Sequence, residues 1–127
     1  TDNFQTRYAL NRVAHLSDRP LVHGAAAGWT GQASVFASGC QEGAPCYRCW
    51  VPETPPDAEA CDEVGVVGPV TGMVSTLMAL EVLKLVTGAG EPLIGQIVLI
   101  EGLSADLRKV RLRSDATCSV CGTERAI

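Results

Sequence analysis

The chain has 127 residues, 46% of them hydrophobic and 19% charged, with a net charge of -4, so it has room for one domain with one modest core, and its composition excludes a disordered chain. The mildly acidic balance, without a basic patch, argues against nucleic acid as a partner. Six cysteines, four of them in close pairs and none preceded by a secretory pattern, point to a reducing cytoplasm rather than a disulfide scaffold.

The chain opens on Thr1-Asp2-Asn3 without a methionine, and Asp2 or Asn3 before an apolar-periodic run reads as a helix start inside a larger protein. From Asn3 to Ser17 the residues Phe4, Tyr8, Leu10, Val13, Ala14 and Leu16 recur at helical spacing, and Pro20 closes the element, which predicts an amphipathic helix. Leu21 to Ala27 and Gly31 to Ala37 read as two strands around a Gly28 to Gly31 turn. The first Cys-x-x-Cys pair follows, and then "WVPETPPDAEAC", a loop rich in proline and acid with no hydrophobic period. Loops of this length within one domain are usually functional or mobile.

Val66 to Thr87 predicts a helix that is apolar almost all round, with Gly88 as its stop. The uncharged stretch from Gly65 to Leu80 is 16 residues long, short for a bilayer span, and Gly68, Pro69 and Gly72 within it favour a buried core helix over a membrane segment. Gly68, Gly72, Ser75 and Ala79 form a small-residue face suited to close packing, in the core or across a dimer. Glu81 and Lys84 are expected to form a helix-face ion pair worth about 0.2–0.5 kcal/mol. Gly95 to Ile100 reads as a buried strand and Leu107 to Leu112 as an exposed one, and the second Cys-x-x-Cys pair ends the domain.

Cys46/Cys49 and Cys118/Cys121 carry the clearest chemistry. Each pair offers two sulfurs from one tight turn, and four thiolates are what a structural zinc ion requires. The 68 residues between Cys49 and Cys118 exceed the roughly 15–20 of a compact zinc ribbon, so such a site is non-local. The rivals are two strained local disulfides or a redox-active Cys46/Cys49 pair. Cys61 belongs to neither pair and precedes the long helix, where a lowered thiol pKa would suit a nucleophile; the alternative is a bystander surface cysteine. Cys40 is also unpaired and has weaker support. Asp2 either caps the first helix or faces a nucleotide and its magnesium. His15 and His23 have no partner motif and read as surface or packing residues. No G-x-G-x-x-G and no Walker loop is present, so the chain alone is expected to bind ATP poorly or not at all.

The blocks "TDNFQTRYALN", "PLVHGAAAGWTGQ", "PCYRCWVPE", "ACDEVGVVGPVTG", "LMALEVLKLVTG" and "CSVCG", in order and across nearly the whole chain, resemble the C-terminal half of ThiF/MoeB/HesA proteins, relatives of ubiquitin-activating enzymes. The resemblance implies an α/β fold: the C-terminal half of a Rossmann-like activating enzyme, with a mixed sheet flanked by helices and a four-cysteine zinc site, residues 1–127 forming one domain. It implies an adenylyltransferase that uses ATP and Mg2+ to activate the C-terminal glycine of a ubiquitin-like sulfur carrier ending in Gly-Gly, for thiamin or molybdopterin synthesis. A sulfur-donor protein and a homodimer are further expected partners. In the family Asp2 would contact ATP and magnesium, with Asn3 and Arg7 near that pocket. Cys46, Cys49, Cys118 and Cys121 would hold zinc, Cys61 would form a covalent sulfur link to the carrier, and the loop from Trp50 to Ala60 would cross over the carrier's tail. The family's N-terminal half, with its nucleotide loop, is missing, so the fragment alone is expected to be inactive. Two other classes stay open: a non-catalytic zinc-stabilised binding or dimerisation module, and a thiol oxidoreductase using Cys46/Cys49.

Overall fold

The structure is a computed structural model that describes residues 3–56 and 65–123. Asn3 starts helix α1 (Phe4–Leu16): its backbone is extended, with φ -134°, and its Oδ1 accepts the Thr6 amide at 2.8 Å, satisfying one of the free amides of the first turn. The helix lies where the periodicity placed it, but its inward face differs. Leu10, Val13 and Leu16 are 44%, 62% and 70% exposed, whereas Asn11 is buried. Phe4, Tyr8, Asn11 and His15 share the inner stripe, because the element beneath them presents aromatic rings and a backbone amide rather than an aliphatic core.

Strands β1 (Leu21–Ala27) and β2 (Thr30–Phe36) form a hairpin whose ladder closes at Ala27↔Thr30. The turn is therefore Gly28-Trp29, tighter than the expected Gly28 to Gly31. Gly28 sits at φ 57°, a conformation that costs glycine nothing. Strands β3 (Gln96–Glu101) and β4 (Asp106–Arg111) complete a four-stranded sheet in the order β1-β2-β3-β4. All three pairings are antiparallel. The parallel part of the expected mixed sheet is confined, among the described residues, to isolated bridges at Gly28↔Val66 and Val35↔Ile94.

Strand β2 is central and covered on both faces, so Ala33, Ser34, Val35 and Phe36 are all buried despite their alternation. On one face Phe36 meets a one-turn helix, α2 (Tyr47–Trp50), which the sequence pattern did not reveal. On the other lies α3 (Gly68–Thr87), which has Pro69 in its first turn and ends on Gly88 at φ 73°, whose amide reaches Lys84 O at 2.9 Å. This helix approaches the sheet at the strand glycines. A Cβ at Gly24 would collide with Met78 Sδ and lie 2.7 Å from Val74 Cγ1, and one at Gly31 would lie 2.6 Å from Val74 Cγ2.

The expectation of a buried core helix is corrected for α3, where only Val70, Val74 and Glu81 are buried. Its 20 residues are long and apolar enough, by length and composition, to cross a membrane, yet one stripe packs on the sheet and the rest faces outward. Gly68, Gly72, Ser75 and Ala79 are exposed, and a Cβ at Gly68 or Gly72 would meet nothing within 4 Å. The Glu81–Lys84 pair forms at 2.5 Å, but not as a solvated surface pair: Glu81 is 2% exposed and its Oε1 also accepts the Leu93 amide at 2.6 Å. Glu81 thus ties α3 to the segment that leads into β3.

Candidate metal centre

Each cysteine pair sits in a tight turn. Cys49 N donates to Cys46 O at 3.0 Å in the first, and Gly122 N to Cys118 O at 2.9 Å in the second. Gly122 has no room for a side chain, since a Cβ there would clash with Cys118 O and lie 2.7 Å from Ala116 O. The turns converge although Cys46 and Cys118 are 72 positions apart in the chain. Cys46 Sγ lies 3.6 Å from Cys118 Sγ and 4.0 Å from Cys49 Sγ, and Cys49 Sγ lies 3.3 Å from Cys121 Sγ. All four sulfurs fall within 4.8 Å of one another. Four thiolates around zinc at ~2.3 Å form a tetrahedron with edges of ~3.8 Å, so the donor set and its size fit one tetrahedral metal.

Without a cation among them, two of these thiols are held neutral. Cys46 is pushed up to about 12, first by its hydrogen bond with Cys49 and then by burial. Cys121 is also pushed up to about 12, mainly by burial. Crowded sulfurs resist ionising together, and a cation among them reverses that preference. One further donor reaches the cluster, the Asp115 amide at 3.4 Å from Cys49 Sγ. Asp115 Oδ1 in turn accepts the Thr117 amide at 2.9 Å and the Thr117 hydroxyl at 2.8 Å, bracing the second turn.

The first turn is braced by aromatic packing. Tyr47, 2% exposed, has ring centroids of Tyr8, Phe36 and His23 at 5.7, 5.7 and 5.1 Å, the separation at which aromatic pairs attract. Tyr8 donates its hydroxyl to Val51 O at 2.9 Å and carries the Arg48 guanidinium 4.0 Å above its ring. Trp50 Nε1 and His23 Nε2 both meet Gln32 Oε1 at 3.1 Å, which ties α2 to the sheet. The expectation that His23 is a packing residue agrees with this geometry. His15 pairs through Nδ1 with Ser38 Oγ at 2.8 Å.

Of the remaining expected site residues, those that the structure describes are not brought to this centre. Asp2 and Cys61 lie outside the described residues. Asn3 spends its side chain on the cap of α1, and the Arg7 guanidinium lies 4.9 Å from the Phe4 ring. Arg7 also lines a cavity of about 320 Å3 with Phe4, Ala25, Ala27, Gln32 and Glu101, at the N-terminal end of α1. Cys40 is exposed in the turn after β2. The segment carrying Cys61 rejoins the described chain at Gly65, whose carbonyl accepts the Gly28 amide at 2.8 Å, while Val67 N donates to Gly28 O at 2.9 Å. Sequence reasoning overlooked Asn11, Tyr47 and Asp115. For Asn11 a signal existed: a polar residue at i+3 from Tyr8 and i-4 from His15 on one helical stripe.

The ThiF family model matches residues 1–120. The chain is 46% identical over 125 residues to an "Adenylyltransferase and sulfurtransferase MOCS3-1" of Zea mays, covering 96% of this chain and 26% of that protein. It is 43% identical over 128 residues to a "Sulfur carrier protein adenylyltransferase" of Thermus thermophilus, covering 98% of this chain and 47% of the relative. It therefore spans a quarter to a half of the length of these relatives. Among solved structures, E. coli MccB with MccA-N7isoASN superposes with a TM-score of 0.75 at 16% identity, over 94% of this chain and 38% of that one. At that identity the likeness concerns the fold.

Proposed function

We propose that this chain, which belongs to the ThiF family as the match across nearly its whole length shows, is the metal-bearing C-terminal part of an ATP-dependent enzyme that activates the C-terminal glycine of a ubiquitin-like sulfur carrier. The observation that carries the reading is the joint presence of a four-sulfur centre in the family's fold and relatives named for sulfur-carrier adenylylation. Zinc is the metal that this donor set favours, and bound there it would supply structure rather than chemistry, because all four positions are taken by protein sulfurs.

The reaction would belong to the other end of α1. Asp2 would hold the magnesium that accompanies ATP, with Asn3 ordering the helix start and Arg7 at the mouth of the cavity beside it. The short side chains of Ala25, Ala26 and Ala27 leave room for an extended, glycine-ended tail along the sheet. Cys61 would be the nucleophile that forms the covalent sulfur link to the carrier, its thiolate attacking the acyl-adenylate carbonyl to give a thioester and release AMP, on a segment that rejoins the described chain at Gly65 against Gly28. The activated carrier would supply sulfur for thiamin or molybdopterin synthesis, in a cytoplasmic protein acting as a homodimer.

The test is isotope exchange between pyrophosphate and ATP by the full-length protein. Exchange is expected only with a carrier ending in Gly-Gly, and exchange that ignores the carrier overturns the reading. Cys61→Ala should leave exchange intact and abolish sulfur transfer. A variant that keeps both activities would favour the non-catalytic module. A metal-free chain with a reversible Cys46–Cys49 disulfide would favour the oxidoreductase.

A further inference from the structure

Asn11 is 2% exposed, two turns into α1, and its amide group is the exception to polar satisfaction among the described residues of the core. Oδ1 accepts the Tyr47 amide at 2.8 Å, whereas Nδ2 is buried with no hydrogen-bond partner. The orientation of the amide follows from this contact. A backbone N–H can only donate, so the Asn11 atom facing it must be oxygen, and the NH2 group must occupy the other position. A buried amide donor left unmatched costs about 1–3 kcal/mol, and a helix-interior asparagine also has poor helix propensity. A residue with two such costs needs a compensating acceptor.

The bonded amide belongs to the residue after a metal ligand. Tyr47 directly follows Cys46, which is 0% exposed, so the bond from Tyr47 to Oδ1 ties the Asn11 side chain to the turn that carries the first metal ligand. A neutral thiol is a weak acceptor, but a metal-bound thiolate carries negative charge on sulfur and accepts N–H donors well. Cys49 already receives such a donor from Asp115.

We propose that Asn11 is a positioning residue of the metal centre, donating Nδ2–H to the Cys46 thiolate while Oδ1 sets the first turn through Tyr47. The proposal rests on the reading of the four cysteines as one metal site. It couples α1, whose N-terminal end bears Asn3 and Arg7, to the metal by a single side chain. Partners of this kind outside the ligand sphere typically shift metal affinity by about 10–100-fold.

The experiment uses the full chain loaded with 113Cd. A through-bond coupling between one Asn11 Nδ2 proton and the metal is expected, carried across the hydrogen bond and the sulfur, and its absence overturns the proposal. A cadmium-free chain that binds no metal under loading conditions would instead refute the metal reading. In the Co(II)-loaded chain, Asn11→Asp keeps the Tyr47 contact but replaces the donor by an anion. Its sulfur-to-cobalt charge-transfer band should move to lower energy, with metal affinity down about 10–100-fold. An unchanged band and affinity overturn the proposal. If Asn11→Asp fails to fold, the cadmium coupling in the unmodified chain still decides.

Discussion

His23 shows how much of a residue's behaviour is set by its surroundings. It lies between the Phe36 and Tyr47 rings at 5.6 and 5.1 Å, and its pKa is pushed down to about 4, chiefly by burial, with the Arg7 charge adding and the Gln32 hydrogen bond opposing. The unfolded chain takes up a proton near pH 6.5 and the folded one only near 4. Stability is therefore full above the unfolded value, falls as pH drops from about 6.5, and levels off below about 4, a loss of up to about 3 kcal/mol. His23→Phe should flatten that limb. Urea unfolding of parent and variant at about pH 7 and about pH 4.5, read as the difference so that acid loss of metal cancels, checks it. Residue chemistry was legible where type and spacing coincide, as at Cys46, Cys49, Cys118 and Cys121. It was illegible in the burial of Asn11 and Glu81 and in the lowered pKa of His23, which depend on desolvation by segments far away in sequence.

Apart from α2, the elements were legible to within a residue or two, because periodicity and punctuation by glycine and proline are local signals. Helix α1, both strands of the hairpin, α3 with its Gly88 stop, and β3 and β4 all appear in the expected order. Faces were less legible. The apolar residues of α1 divide between inside and outside, and α3 shows an apolar surface that the described residues do not cover. Two glycine substitutions separate the faces of the molecule. Gly24→Val forces a side chain into Met78 and Val74 and should destabilise by about 1–3 kcal/mol. Gly72→Ala meets nothing within 4 Å and should stabilise the helix by about 0.5–1 kcal/mol. Thermal melts of both variants check this, and a loss at Gly72 would reveal a second surface against the small-residue face.

At the scale of the whole molecule the four-cysteine cluster would act as a staple once it holds a metal. Cys46 and Cys118, 72 positions apart, join the turn beneath α1 to the segment that leaves β4. A cross-link closing a loop of that length is worth about 4 kcal/mol in a chain-entropy account. Chelation should therefore lower the unfolding free energy by several kcal/mol and release one metal ion per chain, and Cys118→Ser should mimic it. Native mass spectrometry and denaturant unfolding with and without chelator check both. An unfolding curve indifferent to chelator would rule out a structural role for the metal.

The chain's order of elements, its two Cys-x-x-Cys turns and its family blocks were determined by the sequence alone, since each rests on residues close to one another along the chain. The tertiary structure decided which side of each element is inside, that the sheet is antiparallel with β2 covered on both faces, and that the two turns meet. It also decided that Asn11 and Glu81 are buried tethers rather than surface residues. Those outcomes depend on pairings across long stretches of chain, where burial and long-range hydrogen bonds outweigh the preferences that a linear pattern records.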